Sequence, residues 1–505
     1  MLARLSSAAL LGIDAYRVDV EVDVAPGLPG FQVVGLPHGA VREGRDRVLS
    51  ALAHIDRAVP PRRIVVNLAP ADVPKEGSAF DLPIALGLLA AAGAVPVASL
   101  ADTVFVAELG LDGSLRPVRG ALSVALLCVD ERVRTLVLPR ANAREASAIA
   151  GLEVLGADHL REVVTHLRGE RRLGDRPPPP PRNGPPPSAG ALAQIRGQPR
   201  AKRVLEIAAA GAHNLLLEGP PGAGKTLLAR ALPTLLPPLA EREAVEVTRV
   251  HSAAGLLPAG GSLLERRPFR APHHSISEAG LVGGGRPPRP GEVSLAHRGV
   301  LFLDELPEFR RPALESLRQP LEEGSVLIAR ARASVRFPSR VQLVAAMNPC
   351  PCGLRGATAT PCPCSQEAVR RYRSRISGPL LDRMDLFLWV PRADLRALAE
   401  AAAPDAEATT RAAVATARAR QRARFEREGR VLVNAHMGIA DLERHVRLAP
   451  PVRALLLEAA QRLALSARAY HRVLKVARTI ADLDDADAVD APHVTEALAY
   501  RPLPP

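Results

Sequence analysis

Lysine is almost missing from this chain. Only Lys75, Lys202, Lys225 and Lys475 occur, although Lys and Arg together number 66. A composition pushed this far toward Arg is what codon bias produces. The net charge of +13 is therefore weak grounds on its own for an anionic partner such as nucleic acid. Aromatic residues make up 3%, which argues against a platform of rings that stacks bases and leaves phosphate contacts as the route to any nucleic acid. No apolar run reaches the roughly 20 residues of a membrane span, and no basic start leads into an apolar stretch with a cleavage site. The expectation is a soluble, cytosolic protein with no membrane partner. Five cysteines in 505 residues exclude a small disulfide scaffold, and in a reducing compartment they are free or metal-bound.

What is present divides the chain. A length of 505 residues suggests roughly two to four domains. The stretch RRLGDRPPPPPRNGPPPS, from 171, can build neither a helix nor a central strand, because proline removes donors and fixes φ. It reads as an extended linker over 171–189. Before it, over 1–170, YRVDVEVDV alternates apolar and acidic residues at the period of a half-buried strand. RIVVNLAP and TVFVAEL read as further strands, and DLPIALGLLAAAG as a buried helix closed by Gly93. This part is α+β.

After the linker, AKRVLEIAAAG predicts a helix and HNLLLEG a buried strand. EVTRV, GVLFLDE and VQLVAAMN follow as strands, with RPALESLRQPLEEG as a helix, the alternation of a parallel sheet with covering helices over 190–392. From 393 to 505 the chain is Ala/Arg/Leu-rich and helical. The fold class is multidomain α/β.

GPPGAGKT places Gly219, Pro220, Pro221, Gly222, Ala223, Gly224, Lys225 and Thr226 in a G-x-x-x-x-G-K-[ST] pattern between a predicted strand and a predicted helix. Glycines let backbone N–H groups close on phosphate oxygens, Lys225 brings a compact charge to the β/γ phosphates of ATP, and Thr226 offers a hydroxyl to Mg²⁺. GVLFLDE ends in Asp304 and Glu305 at the carboxyl edge of the sheet. Asp304 is placed to hold the Mg²⁺ shell, and Glu305 to deprotonate the attacking water. VQLVAAMN ends in Asn348, a candidate to position that water.

Two residues on, MNPCPCGLRGATATPCPC holds Cys350, Cys352, Cys362 and Cys364 in two Cys-Pro-Cys pairs. They read either as a tetrahedral Zn²⁺ clip or as a reduced, metal-free loop. GSVLIARARASVRFPS predicts a hairpin carrying Arg330, Arg332 and Arg336. An insert over 250–298, too Gly-rich and irregular for a core, contains FRAPHHSIS, whose His273 and His274 are candidate DNA contacts. The helix over 411–430 carries seven Arg against two Glu, a solvated face or a surface for the DNA backbone.

The series of P-loop, Asp-Glu strand, Asn-ending strand, SGPLLDRMD and SARAYHRVLKVARTIADL resembles the magnesium-chelatase-like AAA+ ATPases, and within them the bacterial YifB/ComM family. The likeness runs through HNLLLEGPPGAGKT, FRAPHHSIS, NPCPCG, RYRSRISGPLLDRMDL and VLKVARTIADL and covers nearly the whole chain. It implies a hexameric ring, an ATPase acting on DNA as a helicase that promotes branch migration in recombination during natural transformation. It implies Lys225 and Thr226 as the Walker A pair, Asp304 and Glu305 as Walker B, and Asn348 as sensor 1. Arg383 becomes the arginine finger and Arg468 sensor 2, with Ile195 and Gln198 flanking adenine. It also implies a Lon-protease-like fold for the N-terminal domain. There PKEGSAFDLPIA has Phe80 near the nucleophile's place, with Ser78 close by, and LRPVRGALSVALL lacks the lysine base, so no peptidase activity is expected. A chelatase-type motor subunit and an unfoldase or protease regulator are the competing readings.

Overall fold

The computed structural model describes residues 1–57, 59, 62–73, 75, 77–174, 190–258, 261–330, 333–356, 361–392, 406–426 and 433–501. Most of the proline-rich stretch therefore lies outside the described residues.

The N-terminal sheet is built from β1 (Leu2–Leu11), β2 (Asp14–Ala25), β3 (Gly30–Val34), β4 (Arg63–Ala69) and β5 (Thr103–Phe105). The run TVFVAEL does not continue as one strand. It breaks after Phe105 and re-forms as β6 (Glu108–Leu109), which turns back into β7 (Leu115–Arg116) as a separate ribbon. With β8 (Thr135–Pro139) and β9 (Glu153–Ala157) the main sheet has the order β3-β4-β2-β1-β5-β8-β9. The period-2 pattern of β2 sends Val18, Val20, Val22 and Val24 into the core, and Val20 sits opposite Leu5 on one side and Leu68 on the other. Against this face packs the helix Asp81–Ala91, buried along its whole length. Gly87 makes that approach possible, since a Cβ there would meet Val22 Cγ2 at 2.5 Å.

The second sheet orders β10 (Leu215–Glu218), β11 (Phe269–Arg270), β14 (Val300–Leu303), β17 (Gln342–Met347) and β18 (Leu386–Trp389) as β11-β14-β17-β10-β18, all parallel. Its inner strands carry apolar runs, Val300–Leu303 on β14 and 343–347 on β17, that are buried throughout, as a parallel sheet between helical layers requires. Two antiparallel ribbons stand outside it, β12 (Gly283–Gly284) with β13 (Arg289–Pro290), and β15 (Ser325–Arg330) with β16 (Ala333–Pro338).

Three expectations change here. EVTRV is not a strand; it lies in the helix Glu241–Ala254, whose Ala244, Val247, Thr248, Val250 and His251 recur at helical spacing and are buried. The insert after Val250 is not excluded from the core. Leu281, Val293, Leu295 and Ala296 join the cluster that also holds Leu301, Leu303, Ile328 and Phe337. RPALESLRQPLEEG forms two short helices, Arg311–Ser316 and Arg318–Glu323, with Pro320 near the start of the second.

The C-terminal part is helical: Ala406–Phe425, Ile439–His445, Pro450–Arg462, Ala467–Leu483 and Ala491–Leu498. Val473, Val476, Ala477, Ile480 and Ala481 share a core with the helix Pro199–Gly211 and with β10. Among the described residues no helix is long and apolar enough to cross a membrane.

Candidate nucleotide site

The strands β10, β14 and β17 run parallel, so the residues that follow each of them meet at one carboxyl edge. After β10 the chain turns sharply beside β18, where a Cβ on Gly219 would overlap the Val390 carbonyl oxygen. Gly222 and Gly224 take left-handed φ of 76° and 86°, and the helix Lys225–Leu235 starts at once, aiming its free N–H groups into the loop. Lys225 is buried. Its ammonium donates to the carbonyls of Gly219 (2.6 Å) and Pro220 (3.0 Å) and to Asn348 Oδ1 (3.0 Å). Burial pulls its pKa down, while Asp304, Glu305 and Glu218 push it back up.

Thr226 Oγ1 donates to Asp304 Oδ2 at 2.7 Å, and Asp304 Oδ1 accepts from the Glu305 backbone N–H at 2.9 Å. Glu305 itself has a left-handed φ of 52° and points a half-exposed carboxylate outward, 3.4 Å from His274 Nδ1. Gln198 donates through Nε2 to the carbonyls of Ala223 (3.2 Å) and Pro391 (3.4 Å), and Ile195 is buried in the core with Ala223. The set suits a nucleoside triphosphate with its cation. A hydroxyl and a carboxylate in contact are the hard oxygen donors that Mg²⁺ prefers, and the loop supplies an ammonium and backbone N–H groups for phosphates.

The cysteine loop lies against this site. All four Sγ atoms are within 4.8 Å of one another, with Cys350 to Cys352 at 3.4 Å, Cys350 to Cys362 at 3.6 Å and Cys352 to Cys362 at 3.5 Å. These separations are too long for disulfides and close to the roughly 3.8 Å edge of a tetrahedron with Zn–S bonds of about 2.3 Å. Gly353 (φ 76°) rests on the P-loop, where a Cβ would meet Pro221 Cδ at 2.6 Å.

Arg383 and Arg468 are elsewhere. Both line a cavity of about 470 Å³ together with Asn214, Arg340, Asp385 and Lys475. Asn214, Val341 and Asp385 immediately precede β10, β17 and β18, so this cavity opens at the amino edge of the sheet, the end opposite the P-loop. Arg383 is 6% exposed, pairs with Glu322 at 2.6 Å and donates to Pro379 O at 2.7 Å. Its Nε has no hydrogen-bond partner among the described residues.

The DNA-contact candidates separate as well. Arg336 is exposed on β16, opposite Leu327, and Arg330 ends β15; Arg332 lies outside the described residues. His273 is exposed and shares a hydrogen bond with Ser275 Oγ, whereas His274 is partly exposed and faces the Glu305 carboxylate. The Arg-rich helix is only partly a solvated face. Arg418 donates to Ala209 O, Arg420 reaches Asp485 and Asp487, and Arg424 reaches Asp482 and Asn434, so they tie the helix to its neighbours. In the N-terminal part, Ser78, just before the helix Asp81–Ala91, donates to Glu108 on β6. The contact between His274 and Glu305 escaped the sequence reading because β11 is two residues long and EVTRV stood in for it.

A five-stranded parallel sheet with a P-loop, an Asp-Glu strand end and an Asn strand end at one edge defines a P-loop ATPase core of the magnesium-chelatase-like AAA+ class. Residues 191–398 match the family described as magnesium chelatase, subunit ChlI, residues 20–142 that described as subunit ChlI of Mg-chelatase, and residues 405–501 that of the ChlI C-terminal part. Competence protein ComM of Haemophilus influenzae is 45% identical across 99% of this chain and 98% of its own. Protein YifB of Escherichia coli is 43% identical across 99% and 97%. The magnesium-chelatase 67 kDa subunit of Heliobacterium mobile is 30% identical over only 33% of this chain and 29% of its own. The chain belongs to the YifB/ComM family, and that membership implies an ATPase.

Proposed function

We propose that this protein is an ATP-driven ring, hexameric by its family resemblance, that moves along DNA in the cytoplasm and promotes branch migration during natural transformation. The observation that carries the reading is the division of catalytic groups between opposite edges of one sheet. Lys225, Thr226, Asp304, Glu305 and Asn348 gather at the carboxyl edge, and Arg383 and Arg468 at the amino edge. Such a molecule completes its site only when a second copy offers its arginines to the first copy's nucleotide.

In this scheme Lys225 and the loop N–H groups hold the phosphates, with Gln198 beside the base. Thr226 and Asp304 hold Mg²⁺, which neutralises charge on the phosphates. Glu305 takes the proton from the attacking water, and Asn348 aligns that water. Arg330, Arg332 and Arg336 reach the DNA backbone from the hairpin. Residues 1–170, with a Lon-protease-like fold, serve as a scaffold without peptidase activity, 190–392 form the ATPase core, and 393–505 the lid. Cys350, Cys352, Cys362 and Cys364 hold structural Zn²⁺ as thiolates. The competence name of the Haemophilus relative favours DNA over a porphyrin partner, since the chelatase subunits share only about a third of the chain. Forked or three-stranded DNA with ATP tests the reading. Wild type should unwind it, and Lys225→Ala and Glu305→Gln should not. Unwinding that survives both substitutions refutes coupling to ATP.

A further inference from the structure

We propose that Arg340 contacts the phosphates of the nucleotide held by the neighbouring copy, as a third arginine beside Arg383 and Arg468. The inference rests on the reading of a site shared between copies, and deepens it. Among the described residues, five Lys and Arg side chains line the cavity at the amino edge: Arg340, Arg383, Arg468, Arg472 and Lys475. Three are engaged within their own chain. Arg383 pairs with Glu322 at 2.6 Å, Arg472 pairs with buried Asp385, and Lys475 donates to Ala435 O at 3.0 Å. The guanidinium of Arg340, like that of Arg468, has no ion pair or hydrogen bond among the described residues.

The surroundings of Arg340 leave its charge without compensation. Burial, Arg298 and Arg242 all work against the charged form, and the opposing carboxylate, Glu246, is already taken by His297 and Arg298. A guanidinium stays charged in a protein even so, and one kept in such a place gains from an anion brought by another molecule. Its planar fork matches phosphate oxygens.

The backbone there is fixed. Arg340 N–H donates to His297 Nδ1 at 3.0 Å, and its carbonyl accepts from Arg298 N–H at 2.7 Å. Ser339 N–H donates to Gly324 O at 2.8 Å, and the Arg340 stem lies over Gly324, where a Cβ would meet its Cγ at 2.7 Å. Gly324 ends the helix Arg318–Glu323, which carries Glu322, the partner of Arg383. Ser339 is wholly buried in the same wall, and its Oγ has no partner among the described residues. Arg340 also stands between β16 of the basic hairpin and β17, the strand that delivers Asn348. A phosphate bound at Arg340 therefore touches the segment that joins the hairpin to that strand.

ATP turnover with and without single-stranded DNA, together with titration of a fluorescent ATP analogue, tests the role of Arg340 in the full chain. Arg340→Ala should lower kcat about tenfold or more in both conditions and leave analogue binding within about twofold, because its own P-loop lies at the other edge. Mixed in equal amounts with Lys225→Ala under subunit exchange, it should recover to about a quarter of the wild-type rate, the share of interfaces at which a Lys225→Ala chain lends its Arg340 to an intact P-loop. A role within its own chain cannot be rescued in this way. Arg340→Gln, which keeps much of the stem and loses the charge, should behave alike and stands in if Arg340→Ala folds poorly. The matched mixture of Arg383→Ala with Lys225→Ala is the control. If the control recovers and the Arg340 mixture does not, Arg340 serves its own chain and the proposal falls. A variant with wild-type turnover overturns it as well, and so does one that loses only its stimulation by DNA, which would make Arg340 a DNA contact. A control that stays inactive would overturn the shared site itself, and the role of Arg340 with it.

Discussion

Lys225 shows at the scale of one residue why a chain that has replaced nearly every lysine keeps this one. Its ammonium fits among three oxygens, those of Gly219, Pro220 and Asn348, within 3.0 Å. A planar guanidinium is wider and cannot converge three donors on so small a nest. Lys225→Arg should therefore weaken nucleotide binding about tenfold or more, read by titration of a fluorescent ATP analogue, while the melting temperature stays close to wild type. Glu246 makes a different point. It accepts from His297 Nε2 (3.3 Å) and from Arg298 Nε (3.0 Å) and Nη2 (2.8 Å), just before β14 delivers Asp304. The His297 hydrogen bond, then Arg298 against the opposing cost of burial, hold its pKa down at about 2. Because the folded value lies below the ordinary one, its stabilisation is complete above the ordinary glutamate range and is lost as pH falls toward 2. Glu246→Gln should cost about 1–2 kcal/mol at neutral pH, solvent screening having reduced the contribution of this partly exposed group. Thermal melts should show the gap between variant and wild type closing between pH 4.5 and pH 2.5. The P-loop residues were legible in the sequence because the loop's chemistry is local. Glu246 was not, because its partners lie 51 and 52 positions away.

At the scale of elements, the cysteine loop is a brace on the P-loop as well as a bridge from Asn348 toward Arg383. Gly353 abuts Pro221, and a Cβ on Gly356 would meet Trp389 Cζ2 at 2.9 Å, so the loop is wedged between the phosphate loop and the end of β18. Purified protein should carry one zinc per chain under reducing conditions without chelator. Less than that, by metal analysis, leaves the reduced loop as the reading. Gly353→Val adds a side chain both into Pro221 and onto a left-handed φ, a strain of about 1–3 kcal/mol. It should raise KM for ATP about tenfold with zinc content unchanged, which separates pressure on the P-loop from loss of the metal. Strongly patterned elements were legible: the alternating β2 and β4, the apolar runs of β10, β14 and β17, the buried helix Asp81–Ala91 and the β15–β16 hairpin. The failures are short or ambiguous. EVTRV has the β-branched residues of a strand, yet its apolar positions continue at helical spacing on both sides, and β11 is too short to carry any period.

At the scale of the whole molecule, the parts lean on one another at specific points. The β1–β2 turn reaches the basic hairpin. Ile13 shares a core with Val335 and Phe337, a Cβ on Gly12 would overlap Val335 Cγ1, and Asp14 pairs with Arg249 at 2.6 Å. The placement of Arg383 and Arg468 at the amino edge, with the P-loop at the carboxyl edge, was beyond the sequence, because motifs state which groups exist and not which end of a sheet they face. That placement makes a sharp prediction for mixtures. Lys225→Ala removes the nucleotide half of the site and keeps the arginines; Arg383→Ala does the reverse. Each protein alone should be inactive in ATP turnover. Arg383 is now held by Glu322, and its removal should leave nucleotide binding intact, since no P-loop residue lines its cavity. Mixed in equal amounts under conditions that let subunits exchange, the two should regain activity. An interface works when an Arg383→Ala chain supplies the P-loop and a Lys225→Ala chain supplies the arginine, which random assembly provides at about a quarter of the interfaces. Turnover near that fraction of wild type is the expected result. A mixture as inactive as its components, with exchange verified by labelled subunits, would mean that Arg383 serves its own chain's nucleotide or none.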